Sequence, residues 1–144
     1  MFPAIRALTA AMVVAVWVLA ACAVPSARAD DATEAKSIIA AQIDAFRADD
    51  GAKAYGLASP SIQAMFPSVE AFMAMVRDGY APVYRPQQYQ FGTQSQSDGR
   101  IVQSVDITAA DGSIWTAEYT LARQADGSLK IEGCRLVKAP GVGA

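Results

Sequence analysis

Gln42, Tyr80, Tyr84, Arg85 and Trp115 are the side chains of this sequence best suited to hold a ligand, and none of them is an acid, a thiol or an imidazole. Gln42 stands among Ile38, Ile39, Ile43 and Phe46, which recur at helical spacing. On a helix wheel it falls inside that apolar stripe. A buried amide left without partners costs roughly 1–3 kcal/mol. It therefore either ties the helix to a strand or loop backbone, near Tyr80, or lines a pocket and orients a ligand. Backbone satisfaction is the commoner use of such an amide. In "GYAPVYRP" (79–86) two tyrosines, an arginine and two prolines form a stiff amphipathic connection into a strand. Tyr84 and Arg85 suit an anionic or aromatic partner, and Arg85 equally suits an ion pair with Asp78 or Glu118. Trp115 and Tyr119 share one strand face and would form an aromatic floor beneath the helices, a role more often core than ligand platform.

Several chemistries are excluded by composition. The 144 residues contain no histidine, so histidine metal sites and nucleophiles activated by an imidazole base are out of reach. The glycines sit at turns rather than in a phosphate-binding loop. Asp49-Asp50 is two adjacent carboxylates at a helix end, whereas calcium needs six or more oxygens. Acid–base work of the ketosteroid isomerase type needs a carboxylate with a raised pKa inside the fold. Asp106 and Glu118 fall on the wet side of their strands, and Asp44 lies off the core stripe. The sequence therefore assigns no catalytic residue, no metal and no cofactor.

"LAACAVPSARADD" (19–31) decides how many cysteines the protein keeps. Arg6 is the one charge before an apolar run from Ala7 to Val24, and Ala27-Arg28-Ala29 is an A-x-A cleavage pattern behind Pro25. This reading makes residues 1–29 a signal peptide and residues 30–144 a single exported domain, periplasmic or secreted. Two alternatives stand beside it. "LAAC" resembles a bacterial lipobox, which would lipidate Cys22 and anchor the protein to the envelope. The 18-residue run is also at the lower limit of a transmembrane helix. Contact with a membrane is expected only if the leader stays uncleaved or Cys22 carries lipid. Cleavage after Ala29 leaves 115 residues, room for one domain, and Cys134 as a lone cysteine, expected to be a buried free thiol. Without Arg6 and Arg28, 10 scattered basic residues face 14 acidic ones, a net of −4 that offers nucleic acid no basic stripe.

The elements that must position these residues divide into a helical half and a strand half, an α+β pattern. Helix one is expected over 31–51, with Asp31 as N-cap and Glu34 three residues on, ended by Asp49-Asp50-Gly51. A short helical stretch follows near 53–58. Ser59-Pro60 then reads as cap and first position of another turn, and Pro67-Ser68 starts a helix with the stripe Val69, Phe72, Met73, Val76 and a stop at Gly79. Asp98-Gly99, Asp111-Gly112 and Asp126-Gly127 separate four strands near 83–94, 100–109, 113–122 and 129–138. Ile101, Gln103, Val105 and Ile107 share the inward face of the second strand; Trp115, Ala117, Tyr119 and Leu121 share that of the third. Cys134 and Leu136 reach the core only if Gly133 marks a bulge.

"IAAQIDAFRADD" (39–50), "AYGLASPSIQAMF" (54–66), "FMAMVRDGYAPVYRP" (72–86) and "GSLKIEGCRLV" (127–137) resemble the exported bacterial domain-of-unknown-function family 4864. Helices followed by a curled meander are similar to the cystatin-like and nuclear transport factor 2-like architectures. The resemblance implies helices packed on a curved, cone-like, four-stranded antiparallel sheet. It implies no activity, because such cones host isomerases, dehydratases, ligand binders and assembly modules alike. The sequence reading is a non-catalytic binding or assembly module whose partner is an unknown protein or small molecule. The alternatives are a small-molecule enzyme with a cone-shaped pocket and an envelope-anchored lipoprotein. An enzyme needs a cavity holding an ionisable group; an assembly module can close its core and expose an apolar patch.

Overall fold

The computed structural model describes residues 27–140. Five helices precede four strands: α1 (Ala27–Arg47), α2 (Gly51–Gly56), α3 (Pro60–Gln63), α4 (Val69–Gly79), α5 (Ala81–Tyr84), β1 (Pro86–Ser97), β2 (Arg100–Ala109), β3 (Ile114–Arg123) and β4 (Leu129–Lys138). The strands form one curved antiparallel sheet in the order β1-β2-β3-β4. This is the expected α+β meander.

Ala35, Ile39, Ile43 and Phe46 of α1 are buried against the inner sheet face, where Val105, Ile107, Tyr119 and Leu121 are also buried. Two boundaries of the helical half depart from expectation. Asp31 does not cap α1 but lies inside it, because the alanine-rich residues around it propagate a helix without a start signal. The Asp31 and Glu34 carboxylates instead bind the Arg123 guanidinium at the end of β3, Glu34 at 3.0 Å. At the other end α1 stops at Arg47, and Asp50 caps α2 by accepting the Lys53 N–H at 3.2 Å. Gly51 then lets α2 approach α4: a Cβ there would meet Val69 Cγ1 at 2.7 Å and Met73 Cγ at 2.9 Å. Ser59 caps α3 as expected, and α4, expected to start at Pro67-Ser68, is capped by Ser68.

The first strand begins at Pro86, not near 83. Residues 81–84 form a single helical turn with Pro82 in its first positions, where a proline nitrogen forfeits no hydrogen bond. Pro86 opens β1, an edge strand, a position that tolerates a residue without a ladder donor. Asp98 and Gly99 both have positive φ, 50° and 72°, as a tight two-residue hairpin demands. The other two hairpins share one solution: the Asp111 and Asp126 carboxylates accept from the N–H and hydroxyl of Ser113 and Ser128, which holds both acids below the usual carboxylate range.

Three register shifts interrupt the sheet, the first between Pro86 and Gln88 at the start of β1. β1 is bulged between Phe91 and Gln94. The fully buried Gln103 amide fills that gap, donating to the carbonyls of Gly92 (3.2 Å), Thr93 (3.3 Å) and Ser104 (2.8 Å) and accepting from Gln94 at 2.7 Å. In β4, Gly133 pairs with Thr120 while Ile131 pairs with Leu121, so Glu132 is the extra residue. That bulge returns Cys134 to the inner side opposite Tyr119, as the expected break at Gly133 required. On its open edge Ile131 bonds instead to the α2–α3 link: its carbonyl accepts from Ser59 N–H at 2.8 Å and its N–H donates to Leu57 O at 3.0 Å.

Candidate functional site

The helices do not close over the whole inner face. An open cavity of about 430 Å³ lies between α1, α3, α4, α5 and the inner side of β3 and β4. The α2–α3 link, pinned to β4 at Ile131, holds α3 out as one rim and carries Ile62 and Met65 to the mouth. Met65 is 74 % exposed, an apolar side chain left in water at the entrance. Helix α4 supplies Phe72 and Val76 from its core stripe and Met75 from beside it. Phe72 is held by rings on three sides, 5.5 Å from Tyr55, 5.6 Å from Phe66 and 6.4 Å from Phe46, so that wall is stiff.

Few polar groups reach this apolar space. Gln42 is buried and lines it, and its Nε2 donates to the Ala54 carbonyl at 3.2 Å. The backbone tie expected of Gln42 therefore exists, but it goes to α2 and not to the neighbourhood of Tyr80. Tyr80 lines the cavity as well, so the structure brings these two of the five proposed ligand residues to one place. Glu132 stands at the rim with its carboxylate engaged by Arg100 Nε at 3.2 Å. Tyr119 and Cys134 complete the polar set. The Tyr119 hydroxyl is buried, and the side chain it interacts with is the Cys134 thiol. Burial holds its proton well above the ordinary phenol range, with the adjacent Cys134 adding to the effect. Burial likewise pushes the Cys134 thiol up to about 12. Cys134 is half-buried on the cavity wall rather than enclosed in the core, a correction to the expected deep burial.

The remaining three proposed residues lie elsewhere. Tyr84 donates to Asp49, Arg85 Nη2 donates to Asp49 Oδ2 at 2.7 Å, and Arg85 Nη1 donates to Arg47 O at 2.6 Å. Arg85 also stacks over the Tyr84 ring, 4.8 Å from its centroid. This exposed cluster latches the end of α1 to the α5–β1 junction. The partner of Arg85 is thus Asp49, neither Asp78 nor Glu118, and Glu118 pairs with Arg135 at 3.2 Å. The Tyr84 hydroxyl, helped by the Arg85 charge, lowers the Asp49 carboxyl from its usual value. Trp115 is half-buried and donates to Ser113 Oγ at 2.9 Å, with Lys138 over its ring at 5.7 Å. It shares the inward face with Tyr119 but does not line the cavity.

Tyr119 and Cys134 were absent from the proposed ligand residues. The signal was present: a phenol at an inward strand position, opposite a cysteine brought inward by a glycine bulge. What the sequence did not show is that α3 stands away from them.

The chain belongs to the family described as a domain of unknown function, DUF4864, whose family model matches residues 28–144. No curated protein matches it. Among solved structures it is similar to ActVI-ORFA from Streptomyces coelicolor, with 20 % sequence identity and a TM-score of 0.49, covering 76 % of this chain and 97 % of that one.

Proposed function

We propose that the protein is an exported, non-catalytic binding module whose cavity takes a small, largely apolar molecule. The observation that carries this reading is the open cavity of about 430 Å³, walled by Phe, Met, Ile and Val side chains with a few converging polar groups. Its size and composition are those of small-molecule sites. The space is open at its mouth, which favours a diffusible ligand over a closed assembly surface.

A catalytic use is disfavoured by the ionisable groups. Tyr119 and Cys134 both keep their protons at neutral pH, and the Glu132 carboxylate is already paired with Arg100. Neither the Tyr119 phenol nor the Cys134 thiol is thus poised to exchange a proton near pH 7. Export rests on the leader pattern, of which residues 1–26 lie outside the described residues; the proposed cut after Ala29 falls in the first turn of α1.

Titration with Nile red, an uncharged dye that brightens in apolar surroundings, tests the reading. Wild type is expected to bind it saturably. Met75→Trp, which places a large ring in the cavity, is expected to abolish binding while the thermal melt stays cooperative. Absence of saturable binding to wild type, or undiminished binding to folded Met75→Trp, would count against the cavity as the site.

A further inference from the structure

Only one end of the Gln42 amide is used by the fold. Gln42 is 4 % exposed and lines the cavity. Its Nε2 donates to the Ala54 carbonyl at 3.2 Å. A carbonyl can only accept, so this bond fixes which end of the amide is nitrogen and leaves Oε1 at the other. No described residue donates to that oxygen, and it is not sealed off from solvent. Gln42 Oε1 is therefore an acceptor held in place by helix α1 and a backbone tie, on the wall of a largely apolar space. No lysine or arginine lines the cavity, and its one lining carboxylate is engaged by Arg100. An anion entering this space would lose its hydration without gaining a counter-charge.

We propose that the cavity binds an uncharged molecule with an apolar, ring-sized body and one hydroxyl or N–H group, and that this group donates a hydrogen bond to Gln42 Oε1. The proposal rests on the small-molecule reading above and adds the ligand class. A ligand that fills the cavity displaces the solvent that can reach the amide oxygen, and one that cannot replace its hydrogen bond loses affinity. A hydrocarbon or an ether fills the space but has no proton to offer that oxygen. Small-molecule sites orient largely apolar ligands through a few placed polar groups of this kind.

A matched pair of probes tests this: 2-naphthol, which carries the donor, and 2-methoxynaphthalene, in which a methyl group replaces the proton. Each is titrated by calorimetry at pH 7 into wild type and Gln42→Leu. The expected result is that Gln42→Leu weakens 2-naphthol by about tenfold and does not weaken 2-methoxynaphthalene. Gln42→Met, closer in length to glutamine, is titrated alongside and should behave in the same way; it carries the comparison if Gln42→Leu no longer melts cooperatively. If both probes bind and their affinity ratio is the same in wild type and the folded variant, the ligand class is overturned and the small-molecule reading stands. Equal weakening of both probes also overturns it, showing that Gln42 shapes the cavity rather than accepting from the ligand. If neither probe binds wild type, both readings fall.

Discussion

Tyr119 and Cys134 face each other across the β3–β4 pair, and both line the cavity. Their meeting depends on the extra residue at Glu132. Without that bulge Cys134 would point to the wet side of the sheet, and Tyr119 would border a different side chain.

The thiol should therefore be slow to react. Cys134 is half-buried and its proton is held up to about 12, so little thiolate exists near neutral pH. Labelling with a maleimide at pH 7.5 is expected to be slow in the native protein and rapid in urea. The raised pKa also sets a direction for stability. The native thiol keeps its proton where the unfolded one, near 9.0, has lost it. Its stabilising contribution is full below pH 9 and falls as pH rises from 9 towards 12. Urea midpoints of wild type should drop across that window more steeply than those of Cys134→Ala; parallel curves would show that the thiol is not shielded.

Gln42→Leu should cost stability modestly. The lost bond is Gln42 Nε2 to Ala54 O, yet that carbonyl also accepts from the Leu57 N–H at 3.3 Å and is not left unpaired. A decrease of about 1 kcal/mol by urea denaturation is expected, near the net value of one hydrogen bond. A loss beyond roughly 3 kcal/mol would mean that the amide supports more than this contact.

Gly51→Ala should be more damaging than its size suggests. The added methyl would press into Val69 Cγ1 and Met73 Cγ, both under 3 Å away. Overpacking of this kind costs typically about 1–3 kcal/mol. Gly56→Ala makes the control, because a Cβ there meets nothing within 4 Å. The thermal midpoint should fall for the first variant and hold or rise for the second.

The exported form is expected to begin at Asp30 without lipid. Intact mass of protein recovered from a Gram-negative periplasm, together with labelled-palmitate incorporation, checks this. Palmitate that disappears in Cys22→Ala would make the protein a lipoprotein instead.

Much of the architecture was legible in the sequence because the physics behind it is local. The three Asp-Gly turns, the Ser59 cap, the helix start at Pro67-Ser68, and the alternation through Val105, Ile107, Ala117 and Leu121 depend on neighbours a few residues away. The bulge in β4 was legible too, since inward Leu129 and Ile131 cannot share a face with Cys134 without an extra residue between them. The start of α1 was not, because alanine-rich sequence extends a helix without marking its end, and the acids that looked like caps serve Arg123, some 90 positions away. The candidate site was legible in part. Periodicity placed Gln42 inside and Tyr119 inward, but it could not tell Tyr84 and Arg85, spent on Asp49, from free binding groups. Nor could it reveal the cavity. The cavity depends on the α2–α3 link being pinned to the open edge of β4 at Ile131, and the separation of two elements joined by distant backbone hydrogen bonds is decided by tertiary packing alone.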